Sequence, residues 1–199
     1  MKYTRLGHTG LEVSRICLGC MSFGDPNRGS HAWTLPEEQS RPLLRAAWEA
    51  GINFFDTANV YGRGAAEEFL GEALKGHARD SYVLATKAFF PMSDSDKGLS
   101  RAQIEKQIDA SLARLKTDYV DLYQLHGGTM EDPWEEVFEA FELMKSQGKI
   151  RAFGISSIRP NVVRKVLSMS SPATNMSQYS PLDRRPEEDI FPQVERTNT

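Results

Sequence analysis

Six short runs of apolar residues recur along the chain, and polar or amphipathic stretches separate them. The runs are mostly continuous and do not alternate with polar residues. This pattern is typical of parallel strands that are buried on both faces. We predict strands within Ile16–Leu18, Ile52–Phe55, Tyr82–Ala85, Tyr119–Leu125, Ile150–Ile155 and Thr174–Tyr179.

The stretches between these runs carry apolar residues at helical spacing, with residues typical of helix ends. Thr34 and Ser100 each open a capping box, and Asp132 precedes a proline at a helix start. Glycines at positions 51, 76 and 148 predict helix ends. Further helices are predicted over Glu67–Lys75, from Pro160 onward, and over Arg185–Val194.

Strands and helices alternate throughout, and no shift in composition marks a domain boundary. We therefore predict a single α/β domain over residues 1–199. Repeated strand–helix units build a parallel sheet, which is either doubly wound or closed as a barrel.

Composition narrows the classes of function. The 199 residues include 24 Lys+Arg and 27 Asp+Glu, and 40% are hydrophobic, as in a soluble globular chain with a sizeable core. The net charge of −3 gives no electrostatic case for a nucleic acid or an anionic membrane as partner. No apolar run approaches the ~18 residues of a membrane span, and the N-terminus lacks the apolar segment of a secretory signal.

The two cysteines, Cys17 and Cys20, have the spacing of some redox and zinc motifs. A zinc site would need a second pair of ligands at similar spacing, so we predict no metal site. Residues three apart on a strand point to opposite faces, which predicts core or strand-end cysteines. Two cysteines cannot form a disulfide framework, so we expect a reducing, cytoplasmic setting.

Polar residues follow the predicted strands, where parallel α/β folds carry their chemistry. Asp56, Lys87 and His126 each follow an apolar run, and Tyr61 lies in the loop after Asp56. Taken singly, each has a structural explanation: a turn cap, a surface lysine, a core histidine or loop packing. Other strand ends carry Ser156, Ser157 and Gln178.

Taken together, these side chains predict acid–base chemistry. A lysine at the end of a buried strand needs a counter-charge, and Asp56 is on the neighbouring strand. An ammonium near Tyr61 would stabilise phenolate, so we expect Lys87 to lower the pKa of this phenol. Tyr61 would then be a proton donor near neutral pH, suited to protonating a carbonyl oxygen as hydride reaches the carbon.

Five stretches in order resemble the aldo-keto reductase family, and the likeness runs through essentially the whole chain. The segment around Leu6–Ser14 also fits, as a hairpin that plugs the bottom of a barrel. The five stretches are Phe55–Gly62, Ala85–Lys87, Asp121–His126, Gly148–Ser157 and Gln178–Leu182.

The resemblance implies a TIM-type (β/α)8 barrel that reduces a small aldehyde or ketone with NADPH. Tyr61 would be the general acid, Lys87 and Asp56 would tune it, and His126 would orient the carbonyl. Ser157 stands where many members have Asn, which alters geometry rather than binding. The residues implied to contact the cofactor are Gly19, Met21, Asp56, Ser156, Ser157 and Gln178.

Length is the main departure from the family, because a full barrel typically needs ~250 residues. We count about six βα units, so the last two would be missing, and open sheet edges would favour self-association. The resemblance locates the contacts to the adenosine 2′-phosphate in the missing part. The assignment of NADPH rather than NADH as the cofactor therefore rests on the family resemblance alone. The alternatives are an inactive fragment that acts structurally or through a barrel-completing partner, and a nucleotide-sensing binding module. A fourth hypothesis is a non-redox barrel enzyme, such as an isomerase, but such an enzyme would not need these four side chains.

Overall fold

The computed structural model describes residues 1–28, 31–197 and 199. The chain begins with an antiparallel hairpin of strands β1 (Tyr3–Arg5) and β2 (Glu12–Ser14). Val13 of β2 packs in a small apolar cluster with residues from the first halves of the later strands. The hairpin therefore covers the end of the sheet at which the strands begin.

The central sheet contains six parallel strands in the same order as in the sequence. That order has no reversal point, so it excludes a doubly wound sheet and is that of an incomplete (β/α)8 barrel curled into a half-barrel. The strands are β3 (Leu18–Gly19), β4 (Phe54–Asp56), β5 (Val83–Ala88), β6 (Val120–Leu125), β7 (Ile150–Ser156) and β8 (Asn175–Met176).

The outer strand β8 is much shorter than its apolar run predicted, and the outer strand β3 begins two residues later than its run. Ile16 lies before β3 with an exposed side chain, and the run that ends at Tyr179 contributes only Asn175–Met176. Each of these strands has one neighbouring strand among residues 1–28, 31–197 and 199. Ladder pairing from one side supports fewer residues than pairing from both.

Helices cover the outer face of the sheet, and the predicted alternation with strands is confirmed. The predicted single helix over Arg185–Val194 is wrong, because it divides at Ile190 into two short helices. Pro192 lacks the N–H that a continuous helix would need there. The helices are α1 (Glu37–Glu49), α2 (Ala65–Ala73), α3 (Arg101–Leu115), α4 (Trp134–Ser146), α5 (Pro160–Met169), α6 (Pro186–Asp189) and α7 (Phe191–Glu195).

The predicted side-chain caps of three helices are also wrong. Helix α1 begins after Pro36, and Ser100 makes no capping hydrogen bond to α3. The carboxylate of Asp132 accepts the backbone N–H and the hydroxyl of Thr129 instead of capping α4. A sequence match to a capping box does not determine which local donor the side chain meets. The predicted ends at Gly51 and Gly148 are confirmed, with left-handed φ of 83° and 73° after the helices.

The hydrophobic core has two parts, one on each face of the sheet. The larger cluster lies between the sheet and the helices, and a smaller one lines the concave face near the hairpin. Cys20 belongs to the first, and the half-buried Cys17 packs against the second, which confirms the prediction of core or strand-end cysteines on opposite faces. In residues 1–28, 31–197 and 199, no helix is both long enough and apolar enough to cross a membrane.

A half-buried ion pair joins the turn before β5 to the beginning of β6. Arg79 donates to the Asp121 carboxylate at 2.7 Å and to the Tyr119 carbonyl at 3.0 Å. Its guanidinium lies 3.9 Å from the centre of the Tyr119 ring. The same Asp121 oxygen accepts the backbone N–H of Leu84 at 2.9 Å. One buried carboxylate therefore holds two strands and the turn before β5 in register.

We expect Asp121→Ala to lower the free energy of unfolding by about 3–5 kcal/mol, because it leaves a largely buried guanidinium without its counter-charge. Urea unfolding measures the loss. The matched control is Asp109→Ala, which removes an exposed partner of Lys149 and should cost less than about 1 kcal/mol. Equal losses in the two variants would contradict this role for Asp121.

Candidate active site

The last residue of β4 and the fifth residue of β5 form a buried ion pair at the carboxyl end of the sheet. Lys87 is 1% exposed, and its ammonium donates to Oδ2 of Asp56. It also donates to the carbonyl of Thr57 at 2.8 Å. This carbonyl is in reach because Thr57 and Asn59 donate their backbone N–H groups to Ala85 and Lys87, which carries the chain after β4 along β5.

Tyr61 begins a tight turn that leads into α2. Gly62 and Gly64 have φ of 54° and 91°, which glycine adopts without steric cost. This turn brings the phenol oxygen of Tyr61 to 3.3 Å from Nζ of Lys87. The same oxygen is 3.5 Å from Nε2 of His126. The phenol thus lies between the ammonium and the imidazole.

His126 follows β6 directly and is buried. Its backbone N–H continues the ladder by donating to Ala88 at 3.0 Å. The ring of Phe90 meets the imidazole edge-on at 4.9 Å between centroids. Nδ1 of His126 is buried and has no hydrogen-bond partner in the part of the chain that the structure describes.

The electrostatics of the cluster follow from burial and from one positive charge. Burial lowers the pKa of His126 to about 4, and the nearby ammonium of Lys87 acts in the same direction. The imidazole is therefore neutral at neutral pH. Burial alone would lower the pKa of Lys87, but Asp56 and Tyr61 outweigh it and the net shift is upward. The lysine therefore remains an ammonium.

The predicted lowering of the Tyr61 pKa is wrong. Burial of the phenol raises its pKa, and the ammonium of Lys87 offsets only part of this effect. The charge of Asp56 behind the lysine also acts upward. The sequence indicated the neighbouring cation, but only the folded chain shows how much water the phenol loses.

The structure adds one buried side chain that the sequence analysis overlooked. Gln124 of β6 donates from Nε2 to Oδ1 of Asp56 at 2.9 Å. The alternation of side chains along β6 was the available signal, because it puts Leu122, Gln124 and His126 on one face. A polar residue between an apolar one and His126 on that face lies among the candidate catalytic residues.

The residues predicted to contact the cofactor lie along the same rim of the sheet. Gly19 ends β3 beside Asp56, and the space where its Cβ would stand is open. Met21 is exposed a little further along the chain. Ser156 is buried at the end of β7, with its Oγ 3.4 Å from that of Ser157.

The last two predicted contacts line a cavity beyond β7 and β8. Ser157 has a left-handed φ of 58° and donates its backbone N–H to Met176. With Gln178 it lines a cavity of about 310 Å³, which Arg159 and Arg185 also border. The open space at Gly19 lies beside Asp56 and could admit a flat ring. The hydroxyl of Ser157 and the amide of Gln178 are groups that can hydrogen-bond a carboxamide. Among residues 1–28, 31–197 and 199, no cluster of side chains could hold a metal ion.

Comparison with known proteins gives consistent matches. The family model of the aldo/keto reductase family matches residues 15–199. The oxidoreductase YqkF of Bacillus subtilis is 44% identical over 94% of this chain. The holo form of the aldo-keto reductase AKR11C1 from Bacillus halodurans is similar in structure over the whole chain, with a TM-score of 0.87 and 44% identity. The thermostable aldo-keto reductase Tm1743 is similar over the whole chain, with a TM-score of 0.86 and 30% identity.

The chain spans only part of the length of these proteins. It covers 59% of YqkF, 64% of AKR11C1 and 70% of Tm1743. The match nevertheless includes the whole six-stranded sheet and all four residues of the Asp56, Tyr61, Lys87 and His126 cluster. The chain belongs to the aldo/keto reductase family.

Proposed function

We propose that this chain carries the catalytic groups of an NADPH-dependent oxidoreductase that reduces an aldehyde or a ketone to an alcohol. The observation that supports this most directly is the position of the Tyr61 phenol, 3.3 Å from the Lys87 ammonium and 3.5 Å from the His126 imidazole. A phenol held between a cation and a neutral imidazole is suited to giving a proton to a carbonyl oxygen.

Tyr61 is the proposed general acid. The nicotinamide cofactor, when bound, would supply hydride to the carbonyl carbon. The Tyr61 hydroxyl gives its proton to the carbonyl oxygen, so the product is an alcohol and the side chain becomes phenolate. The raised pKa keeps the phenol protonated beforehand. The ammonium of Lys87 then stabilises the phenolate as it forms.

Asp56 and His126 have supporting roles in this proposal. Asp56 holds the ammonium of Lys87 towards the phenol, and its burial makes that interaction strong. The neutral His126 orients the carbonyl oxygen by donating from Nε2, the ring nitrogen that faces Tyr61. Nδ1, which has no partner within the described residues, then carries the lone pair.

Residues at the open rim of the sheet would hold the nicotinamide when it is bound. We propose that the hydroxyls of Ser156 and Ser157 and the amide of Gln178 bond its carboxamide. Gly19, Met21 and Asp56 would line the same pocket, where the absent side chain of Gly19 leaves room for a ring. The choice of NADPH over NADH rests on the family resemblance. The two free thiols support the proposed cytoplasmic location, because such thiols persist where the environment is reducing.

A second candidate is a structural role in which another chain completes the barrel. The observation in its favour is that β3 and β8 each have one strand neighbour within the described residues, and that Met176 of β8 is exposed. Unpaired strand edges template pairing with further strands. This role and the reductase role are compatible if completion also builds the remainder of the cofactor cleft.

Tyr61→Phe should reduce NADPH-dependent carbonyl reduction by about 10²–10⁴-fold, because only the proton donor is removed. Turnover of aldehydes and ketones, followed by NADPH absorbance, measures the loss. Tyr3→Phe is the matched control, since its hydroxyl donates to the Gly51 carbonyl and lies in the N-terminal hairpin, and it should leave turnover unchanged. Unaltered turnover in Tyr61→Phe would exclude Tyr61 as the general acid.

NADPH should quench the fluorescence of Trp33, Trp48 and Trp134 with saturable, micromolar affinity. Gln178→Ala should weaken this binding, because it removes a proposed partner of the carboxamide. Gln39→Ala, on the exposed face of α1, is the matched control. Absence of binding up to millimolar NADPH would count against the reductase. Tight binding without turnover would favour a nucleotide-sensing module.

The chain should self-associate through its open edges, so light scattering should give a mass that rises with protein concentration. Met176→Lys should reduce the association, because a lysine on an edge strand opposes pairing. Met169→Lys is the matched control, since the two methionines are 36% and 37% exposed and Met169 lies in α5. A sharp monomer peak with a cooperative melt would contradict the prediction.

A further inference from the structure

Gln124 is a buried amide that satisfies only one of its two polar atoms. The residue is 1% exposed and lies on β6. Its Nε2 donates to Oδ1 of Asp56 at 2.9 Å, while its buried Oε1 has no partner among residues 1–28, 31–197 and 199. Burying an unpaired acceptor is unfavourable, and an apolar side chain would avoid it. The amide therefore contributes a hydrogen bond to Asp56 that an apolar side chain could not make.

The hydrogen bond of Gln124 crosses a whole strand. Asp56 is on β4, and the strand between them is β5, where the Cα partner of Gln124 is Lys87. The amide therefore reaches past the lysine to the carboxylate that the lysine also contacts. Asp56 is held on both oxygens, Oδ2 by the ammonium and Oδ1 by the amide.

The neighbouring strand leaves room for this side chain. The Cα partner of Gln124 on β7 is Gly154. A Cβ at position 154 would lie 3.3 Å from Cγ of Gln124 and 2.2 Å from Oγ1 of Thr174. Because Gly154 has no side chain, the Gln124 side chain can extend past β7 without a close contact at this position.

Of the two orientations of the Gln124 amide, which exchange Nε2 and Oε1, only one is favourable. With Nε2 towards Asp56, a donor meets a carboxylate and Oε1 has no partner. With the amide reversed, Oε1 would face the carboxylate oxygen and repel it, and Asp56 would lose its second partner. A charge-assisted hydrogen bond to a buried carboxylate outweighs the cost of one unpaired carbonyl oxygen.

We propose that Gln124 is a positioning residue that fixes the Asp56 carboxylate against the ammonium of Lys87. Its effect on catalysis is indirect, because its amide hydrogen-bonds Asp56 and, within the described residues, neither the phenol of Tyr61 nor the imidazole of His126. Without the amide, Oδ1 is free to rotate towards the ammonium or to take up a proton. This proposal rests on the reductase function only for its catalytic consequence, since the hydrogen bond itself can be tested on the resting protein.

The direct test is the titration of Asp56, followed by ¹³C NMR of selectively labelled aspartate carboxyls in the full chain. The Asp56 signal is identified by its disappearance in Asp56→Asn. Gln124→Met keeps a side chain of similar length and removes the donor. It should raise the Asp56 midpoint by about one pH unit, a tenfold change in the acid constant.

Gln193→Met is the matched control. Gln193 is also buried and also has an Oε1 without a partner among the described residues, but it lies in α7 and donates to the Asp189 carbonyl. It should leave the Asp56 midpoint unchanged. If Gln124 only fills space, Gln124→Met should also leave the Asp56 midpoint unchanged. An unchanged midpoint in a Gln124→Met protein that melts cooperatively would therefore overturn the proposal.

A second variant decides the question if Gln124→Met does not fold. Gln124→Glu keeps the shape of the side chain and puts a second carboxyl against Asp56. The two groups should then titrate as a coupled pair, with one midpoint strongly raised. Independent titration of the two carboxyls would show that position 124 does not contact Asp56 and would overturn the proposal.

Turnover distinguishes this proposal from the reductase function. If the parent chain reduces carbonyl compounds, Gln124→Met should lower kcat by a larger factor than it changes the KM for NADPH, because Gln124 acts through Asp56 and is not one of the proposed partners of the carboxamide. If the parent chain has no turnover, the reductase proposal fails, while the Asp56 titration still decides whether Gln124 positions the carboxylate.

Discussion

The buried ion pair of Lys87 and Asp56 is the constraint on which the rest of the site depends. Removing two charges from water costs several kcal/mol for each ion, so the folded chain has to surround them with partners. The carbonyl of Thr57 and the amide of Gln124 supply these partners. The pair and its partners come from three neighbouring strands and the turn after β4. The pair is therefore satisfied only while those strands keep their register.

Burial has opposite effects on two neighbours of the pair, while the ammonium of Lys87 acts to lower the pKa of both. For His126, burial and the ammonium act in the same direction, and the pKa falls to about 4. For Tyr61, burial raises the pKa and the ammonium opposes it, so the phenol remains protonated. The same arrangement thus keeps the imidazole of His126 neutral and the phenol of Tyr61 protonated. It requires no charge beyond the buried pair.

Much of the fold could be predicted from the sequence because parallel strands that are buried on both faces leave continuous apolar runs. The inner strands β6 and β7 follow their runs to within one residue at each end, and β5 continues three residues beyond its run. The errors lie where local pattern competes with tertiary contacts. Asp132 bonds Thr129 instead of capping a helix, and the outer strand β8 is limited by pairing on one side.

The sequence by itself determined which polar residues lie at or just beyond the carboxyl ends of the strands. Since those ends of parallel strands share one rim, it determined that Asp56, Lys87 and His126 are neighbours. Only the tertiary structure decided what those neighbours do to each other. The choice between a doubly wound sheet and a half-barrel depended on the strand order. The direction in which the pKa of Tyr61 shifts depended on how much water the phenol loses on folding. The role of Gln124 depended on a side chain reaching across β5, a contact between two strands that are not adjacent in the sheet.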